Sequence, residues 1–385
     1  MTNWLSNWQE DIAWLAAELP RRHLNLFHNL PEQTFLDRIS RLQAELPECD
    51  GAMVITRLMA IVAAIGDAHT TVIPTVNHYL PFEFYWFAEG LHIVAARPEH
   101  QEWLAAKVTA IENLPIDEVS AALTGVLAHE NKAYVASLLP FYLAAADLLY
   151  GLEICDSPDQ VLLSLQKQDG TTADLSVPTA SLKDWTSSLV RLGAPNAGQT
   201  SLPLYRQHLD QSFWFTPVGS DSVYVQYNAC REQPDCPMTA VGTALLEFIA
   251  DRQPQKIILD LRLNRGGDST LLEPLIDELA RQPARYFVII GRNTFSSALL
   301  NAYALKERTG AMVVGEPSGG KPNCYGEVKY LTLPHSRLQV RYSTKYYHLV
   351  ADDALLSLMP DLPCPVTLAD YLAGLDPCLE AIRSQ

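Results

Sequence analysis

The chain has 385 residues, of which 48% are hydrophobic and 19% are charged, and its formal net charge at pH 7 is −16. A chain of this length and composition buries a large core, and we expect two or three structural units. The negative charge argues against nucleic acid as a partner, because phosphate binding requires a basic face, and against docking on anionic lipid.

The amino-terminal sequence has no basic segment followed by an apolar one, and no apolar run is long enough to span a membrane. We therefore expect no signal peptide, no membrane insertion and a cytoplasmic location. The seven cysteines are odd in number and scattered, which is typical of a reducing compartment. Cys230 and Cys236 are close in sequence but have no second ligand pair nearby, so we predict no metal and no cofactor.

Residues 1–75 are predicted to form a helical cap. Apolar residues recur at helical spacing in three stretches, at 4–19, 35–46 and 51–65. The third stretch ends at a turn, Asp-Ala-His-Thr at 67–70, which leads out of the helical region.

Residues 76–183 are predicted to form a mixed α+β region. The pattern indicates, in chain order, strands at 82–86 and 91–94, a strand at 107–111, a helix after 114, a helix or helix pair at 135–150 and a hairpin at 160–177. The hairpin is expected to turn at Asp169-Gly170. The order of strand, tight turn and helix is similar to the middle of a diverged PDZ-like module.

Residues 184–385 are predicted to form an α/β core. After a polar connector, the pattern indicates a strand at 222–227 and a helix at 239–251. Three repeats of strand, small-residue turn and helix follow, with strands at 256–262, 286–290 and 312–314. The chain ends with antiparallel strands at 327–333 and 338–347 and a terminal helix at 368–383. The connector covers 186–219. Alternating strands and helices predict parallel strands that are buried on both faces.

The turn after the second repeated strand carries Ser296 at the predicted start of a helix. A serine hydroxyl is a poor nucleophile until a base removes its proton, but the amides and dipole at a helix start favour negative charge beside it. Ser296 is therefore a candidate nucleophile. As an alternative, Thr294, Ser296 or Ser297 only caps the helix.

The two neighbouring turns carry Gly266-Gly267 and Lys321. A glycine pair lets the backbone approach a ligand and point an amide at it, or it forms a plain strand-to-helix turn. A buried lysine loses its proton readily enough to act as a general base, whereas most lysines are exposed.

His69, on the turn at 67–70, is a second candidate base, because histidine is the usual base for serine and Asp67 or Thr70 is placed to orient it. A structural role for His69 is the alternative.

Together these segments resemble peptidase family S41, the tail-specific and C-terminal processing peptidases, which also includes the tricorn core protease. The matching segments are 67–70, 260–267, 294–298, 313–317, 319–323 and Pro360-Asp361. They are spread over most of the chain. The resemblance implies a ClpP/crotonase-like α/β core.

In the processing peptidases, a nucleophilic serine precedes a general-base lysine by 25 positions, which is the separation of Ser296 and Lys321 here. The resemblance therefore implies that Ser296 attacks the substrate and Lys321 acts as base. It further implies an oxyanion hole formed by backbone amides of Ser297 and of Gly267 or Gly266.

The sequence Gly-Gly-Lys-Pro-Asn at 319–323 is more similar to the tricorn-like branch, where the base is a histidine from the amino-terminal half. His69 is the matching residue. The resemblance thus leaves Lys321 and His69 as competing bases.

The function implied is a serine peptidase acting on peptides or unfolded proteins. Leu299 stands where the processing peptidases usually carry an acidic residue, and Tyr325 where they often carry glutamine. A non-cleaving peptide-binding protein on the same scaffold is therefore an alternative. Acyl-CoA chemistry of the crotonase kind is a third possibility, although no feature of the chain demands a CoA site.

Overall fold

The computed structural model describes residues 2–186, 189–193 and 202–385, so parts of the predicted connector at 186–219 lie outside the described residues. The helices are α1 (Thr2–Arg22), α2 (Glu32–Glu45), α3 (Gly51–Ala63), α4 (Ile116–Thr124), α5 (Lys132–Leu143), α6 (Ala146–Gly151), α7 (Leu182–Thr186), α8 (Met238–Arg252), α9 (Glu273–Leu279), α10 (Ser297–Thr309), α11 (Leu368–Ala373) and α12 (Pro377–Arg383).

The strands are β1 (Thr71–Ile73), β2 (Phe82–Phe87), β3 (Gly90–Ala96), β4 (Lys107–Ile111), β5 (Leu114–Pro115), β6 (Gln160–Gln166), β7 (Thr172–Pro178), β8 (Val190–Arg191), β9 (Phe213–Val218), β10 (Ser222–Tyr227), β11 (Lys256–Asp260), β12 (Arg285–Ile290), β13 (Met312–Gly315), β14 (Cys324–Thr332), β15 (Gln339–Tyr347) and β16 (Leu362–Pro363).

The chain divides into two compact units. The first comprises Met1–Glu130, Leu138–Leu192 and Cys324–Tyr347, and the second comprises Asn131–Ser137, Gly193–Asn323 and His348–Gln385. In this grouping β14 and β15 go with the first unit, because β15 pairs with β1. The division at residues 75 and 183 stays a prediction.

Helices α1 to α3 open the first unit and confirm the predicted helical region. The apolar residues that recur along α1 and α2 are buried, among them Ile12, Leu15, Leu19, Phe35 and Leu42. The Asp50 side chain caps α3 by accepting a hydrogen bond from the Met53 amide at 3.0 Å. After α3, Gly66 adopts a left-handed conformation at φ +76°, and the turn at 67–70 leads into β1.

Two sheets complete the first unit. One has the order β1-β15-β14, and the other has the order β2-β3-β4-β6-β7, with β5 beside β4 and β8 beside β3. All pairings in the second sheet are antiparallel, so the predicted mixed α+β middle region is confirmed. The predicted hairpin turns at Asp169-Gly170, where Asp169 accepts from the Thr171 amide at 2.9 Å. The likeness of the middle region at 76–183 to a PDZ module stays a prediction.

A six-stranded sheet with the order β16-β13-β12-β11-β10-β9 forms the centre of the second unit. Its strands are parallel, except that β9 runs antiparallel to β10. Successive residues of β11 pack in two different hydrophobic clusters. Ile257 and Leu259 belong to one cluster, and Ile258 belongs to the other, together with residues of α12. The sheet is thus buried on both faces, as its apolar strands predicted.

Two predicted elements differ in the structure. The third repeat has no helix, because the chain leaves β13 through 316–323 and enters β14 directly. The predicted terminal helix at 368–383 is two helices. Gly374 ends α11 in a left-handed conformation, and Asp376 and Pro377 start α12 as its N-cap and first residue. None of the described helices has the length and apolar character needed to cross a membrane.

Strands β11, β12 and β13 are neighbours in this sheet and run in the same direction. Their carboxyl ends therefore meet at one edge of the sheet, and so do the turns that follow them. These turns hold Gly266-Gly267, Ser296 and Lys321. The topology brings together three segments that are separated in sequence.

Candidate active site

Ser296 lies at the N-cap position of α10, with φ 55° and ψ −128°. A positive φ is uncommon for a residue other than glycine and costs on the order of 1–3 kcal/mol. Ser296 makes no side-chain capping hydrogen bond. The half-buried side chain has no hydrogen-bond partner within the part of the chain that the structure describes. Its hydroxyl is therefore available to a ligand.

The two other hydroxyls that were considered as helix caps are engaged elsewhere. Thr294 Oγ1 donates to the Leu261 carbonyl at 2.9 Å and accepts from the Gly291 amide at 3.0 Å. Ser297 Oγ donates to the Gly267 carbonyl at 2.6 Å. The Thr294 and Ser297 hydroxyls thus tie the turn to its neighbours. Of the three hydroxyls, that of Ser296 alone has no hydrogen-bond partner among the described residues.

Gly266 and Gly267 form a turn with φ values of +99° and +137°. Asn264 shapes this turn, because its side-chain oxygen accepts the Gly266 amide at 2.8 Å. Cys230 flanks the turn: its amide donates to the Gly266 carbonyl at 3.1 Å, and its carbonyl accepts the Asp268 amide at 2.8 Å. The Gly266 amide is therefore occupied, whereas the Gly267 amide has no acceptor among the described residues.

The Ser297 amide also has no acceptor among the described residues. Its helix does not supply one, because the first amides of an α-helix have no intrahelical partner. Gly266 packs directly on this amide: a methyl group on Gly266 would lie 2.9 Å from Ser297 N. Of the predicted oxyanion donors, Gly267 and Ser297 thus keep an available N–H, and Gly266 does not.

Lys321 follows a loop that is fastened to the Ser296 turn. The Gly320 amide donates to the Thr294 carbonyl at 3.0 Å, and a methyl group on Gly320 would lie 3.4 Å from the Phe295 Cα. The Lys321 side chain is half-buried and forms no hydrogen bond or ion pair in the described parts of the chain. In particular, no hydrogen bond joins its ammonium group to Ser296.

His69 belongs to the first unit, where it is buried on the turn between α3 and β1. Burial lowers the pKa of its imidazole to about 4, although the nearby Asp67 carboxylate opposes this shift. The ring is therefore neutral at pH 7, which is the form that accepts a proton.

Asp67 does not hold the His69 ring by a hydrogen bond, because the distance from its Oδ1 to Nδ1 is 4.0 Å. It instead accepts hydrogen bonds from the His69 amide at 2.9 Å, Thr70 Oγ1 at 2.5 Å, Ser343 Oγ at 2.6 Å and His23 Nε2 at 3.0 Å. Burial raises the pKa of Asp67, but the side-chain hydrogen bonds from His23, Ser343 and Thr70 and the positive charge of protonated His69 outweigh it and lower the pKa to about 2. Asp67 thus fixes the His69 backbone.

A buried ion network lies at the end of β11. Arg262 Nε donates to Asp260 Oδ2 at 2.8 Å, and its two terminal nitrogens donate to the Asp376 carboxylate at 3.0 and 2.9 Å. Tyr224 also donates to Asp260, at 2.7 Å. The network ties the end of β11, shortly before the turn at 264–267, to the N-cap of α12.

Sequence reasoning missed Asn264, Cys230 and this ion network. An asparagine two residues before a glycine is a signal for an Asx-turn, so the role of Asn264 could have been predicted from the sequence. Cys230 and Asp376 are distant in sequence from the motifs and carry no comparable signal. Among the described residues, no group of three His, Cys, Asp or Glu side chains is placed to hold a metal ion.

No protein-family model and no curated protein matches this chain. Solved structures do match it along nearly its whole length. Mature CPAF is 14% identical with a TM-score of 0.69, over 98% of this chain and 96% of the other. A putative peptidase from Parabacteroides merdae is 12% identical with a TM-score of 0.51, over 98% and 96%.

A weaker match, to the photosystem II D1 C-terminal processing protease, is 12% identical with a TM-score of 0.43 and covers 96% and 98% of the two chains. The matches to mature CPAF and to the Parabacteroides merdae protein, with TM-scores above 0.5, confirm the predicted resemblance at the level of the fold. At such low identity the likeness concerns the fold. The chain therefore has the mixed α/β fold seen in mature CPAF, with amino-terminal helices, an antiparallel middle sheet and a largely parallel sheet.

Proposed function

We propose that this protein is a serine peptidase that cleaves peptides or unfolded proteins. The Ser296 oxygen attacks the scissile carbonyl carbon while a base takes the hydroxyl proton, and the amides of Gly267 and Ser297 stabilise the oxyanion. The base then gives the proton to the leaving amine as the C–N bond breaks. Water hydrolyses the resulting Ser296 ester and frees the enzyme.

One observation carries this proposal. An unengaged serine hydroxyl stands on a strained backbone at the start of α10, and the two backbone amides beside it, those of Gly267 and Ser297, lack acceptors in the described chain. Strained residues and unpaired donors are costly, and they concentrate at functional sites. Acyl transfer is the chemistry that uses both features together.

Two residues compete for the role of general base. For Lys321, the support is its spacing from Ser296 and the fastening of its loop to the Ser296 turn. For His69, the support is a buried ring that is neutral at pH 7. A histidine base with a pKa of about 4 predicts an acid limb near pH 4 in the profile of kcat/KM.

Cleavage and covalent labelling together test the function. Purified protein is incubated with unfolded casein and, separately, with a serine-directed phosphonate, and Ser296→Ala is the matched variant. We expect fragments and a labelled Ser296 in the wild type, and neither in the variant. Casein cleavage that survives in Ser296→Ala excludes this nucleophile.

The base is assigned by comparing Lys321→Ala and His69→Ala. The rate of phosphonate labelling is measured from pH 4 to pH 9 for both variants and for the wild type. Loss of the base is expected to lower the labelling rate by about 10²- to 10⁴-fold, whereas loss of the other residue leaves it near the wild-type rate. Two variants with unchanged rates exclude both assignments.

A non-cleaving peptide-binding protein is the second candidate. It is favoured by the lack of a hydrogen bond between Ser296 and Lys321. This alternative predicts that casein binds without fragmentation and that the phosphonate leaves Ser296 unlabelled.

For either function, we propose that the second unit is a ClpP/crotonase-like core, supported by its parallel sheet with apolar residues packed on both faces.

A further inference from the structure

Two peptide planes flank Gly267, and the first of them contains its N–H. The plane between Gly266 and Gly267 carries the Gly266 carbonyl on one side and the Gly267 N–H on the other, because a trans peptide points these groups in opposite directions. That carbonyl accepts from the Cys230 amide at 3.1 Å. The Gly267 N–H is therefore directed away from Cys230.

The second plane, between Gly267 and Asp268, is held from both sides. Its N–H, on Asp268, donates to the Cys230 carbonyl at 2.8 Å, and its carbonyl, on Gly267, accepts from Ser297 Oγ at 2.6 Å. Glycine has little intrinsic preference for one backbone conformation, so these bonds restrict the rotation about Gly267. Among the described residues, the Ser297 hydroxyl is the group of α10 that restrains this plane.

Helix α10 holds the same loop at a second point, one turn further on. Asn301 is fully buried, and its Nδ2 donates to the Ser269 carbonyl at 2.9 Å. Residues 297 and 301 are four positions apart and face the same side of a helix. The side chains of Ser297 and Asn301, both on α10, therefore each donate a hydrogen bond to the loop at 267–269.

We propose that the Ser297 side chain is a positioning residue of the oxyanion hole, in addition to the donor role of its backbone amide, and that Asn301 supports it. The hydroxyl locks the Gly267 carbonyl so that the Gly267 and Ser297 N–H groups keep a constant separation and direction. This inference rests on the proposed peptidase function.

Ser296 and Ser297 differ in exposure and in hydrogen bonding. Ser297 is 8% exposed and its hydroxyl is committed to a short hydrogen bond, whereas the half-buried Ser296 hydroxyl has no such bond in the described chain. Removal of the Ser297 hydroxyl leaves the nucleophile and the base intact. It changes only how well the oxyanion is held, which is an interaction made mainly in the transition state.

The test is steady-state peptide cleavage by Ser297→Ala, with Ser297→Thr as the conservative variant. We expect Ser297→Ala to lower kcat by about 10- to 100-fold, less than the roughly 10²- to 10³-fold loss seen when an oxyanion donor is removed outright. KM is expected to stay within about twofold, since transition-state binding alone is weakened. Ser297→Thr, which keeps a hydroxyl, is expected to recover most of kcat.

Thr309→Val is the matched control, because Thr309 Oγ1 donates to the Leu305 carbonyl at 2.7 Å in the last turn of the same helix. It removes a comparable hydrogen bond far from the loop and is expected to leave kcat unchanged. The pH profile of kcat in Ser297→Ala is expected to keep its wild-type shape, because no titrating group is lost. Thermal unfolding of each variant verifies that it is folded.

A Ser297→Ala enzyme with wild-type kcat overturns the inference and leaves the peptidase function standing. The inference is also overturned if Ser297→Thr is as slow as Ser297→Ala, since the hydroxyl then has no role. A wild-type protein that neither cleaves casein nor reacts with the phosphonate overturns the proposed function, and the inference with it.

Discussion

Gly266 and Ser296 approach each other so closely that a methyl group on Gly266 would lie 2.8 Å from the Ser296 Cβ. The two residues belong to turns that follow different, adjacent strands of the parallel sheet, β11 and β12. Any residue with a Cβ at position 266 pushes against the strained Ser296 backbone. The contact explains why a glycine is needed at this position and why the turns form one site.

Replacing Gly267 by alanine is expected to abolish most activity without unfolding the protein. The new methyl group collides with the Cys230 carbonyl oxygen, and a φ of +137° is unfavourable for alanine. The loop must move, and its amide with it, so we expect kcat to fall by about 10²- to 10³-fold. Gly310→Ala is the control, because Gly310 also has a positive φ but its methyl group meets nothing within 4 Å. Equal kcat values in the two variants contradict the role of Gly267.

Ser296→Gly is expected to be inactive and more stable than the wild type. Glycine adopts φ 55°, ψ −128° without the penalty that serine pays, so we expect a gain of about 1 kcal/mol in the free energy of unfolding. Ser296→Ala, which keeps the Cβ, is expected to be inactive without that gain. Urea unfolding compares the two variants, and a less stable Ser296→Gly argues against backbone strain at this residue.

His69 is expected to make the protein acid-sensitive. Its folded-state pKa of about 4 is below the unfolded value of 6.5, so the unfolded chain takes up a proton first as the pH falls. The stabilisation is present in full above pH 6.5 and is lost progressively down to pH 4. We expect the wild type to lose about 2 kcal/mol between pH 7 and pH 5 at 1.36 kcal/mol per pKa unit. His69→Gln is expected to lose correspondingly less in urea unfolding, and parallel losses in both proteins contradict the shift.

Arg262→Leu is expected to destabilise the protein severely. The substitution leaves the buried Asp260 and Asp376 carboxylates without their cation, and breaking a buried ion pair in this way costs about 3–5 kcal/mol. Arg308→Leu is the matched control, because Arg308 pairs with Glu273 and Asp277 on the surface, where such pairs contribute under about 1 kcal/mol. Urea unfolding measures both variants, and similar losses refute the structural role of the network.

Much of the fold was predictable because its signals are local. The apolar spacing of residues 4–19 and 35–46 predicted α1 and α2, and the apolar strand at 256–262 predicted β11. The terminal helix was predicted as one segment although Gly374 and Pro377 divide it. Helical periodicity continues across such a break, so an apolar pattern alone misses it.

The residue types of the candidate site were predictable from the sequence, but their contacts were not. A serine at a helix start, a glycine pair and a spaced lysine predict acyl transfer, and this chemistry stays a prediction. The sequence could not decide between Gly266 and Gly267, because the answer depends on Asn264 taking the Gly266 amide. Nor could it show that the Ser296 side chain makes no capping hydrogen bond, because this depends on the tertiary contacts of the turn.

Local patterning thus determined the strands, the helices and the residue types at the turns, since these follow from spacing and backbone preference within a few residues. Tertiary structure decided which amides stay unpaired. The Gly267 carbonyl and the Ser297 hydroxyl are 30 positions apart in sequence, yet a 2.6 Å hydrogen bond joins them and holds the peptide plane that follows Gly267. Such pairing exists only after parallel strands have brought their carboxyl ends together, and no local segment encodes it.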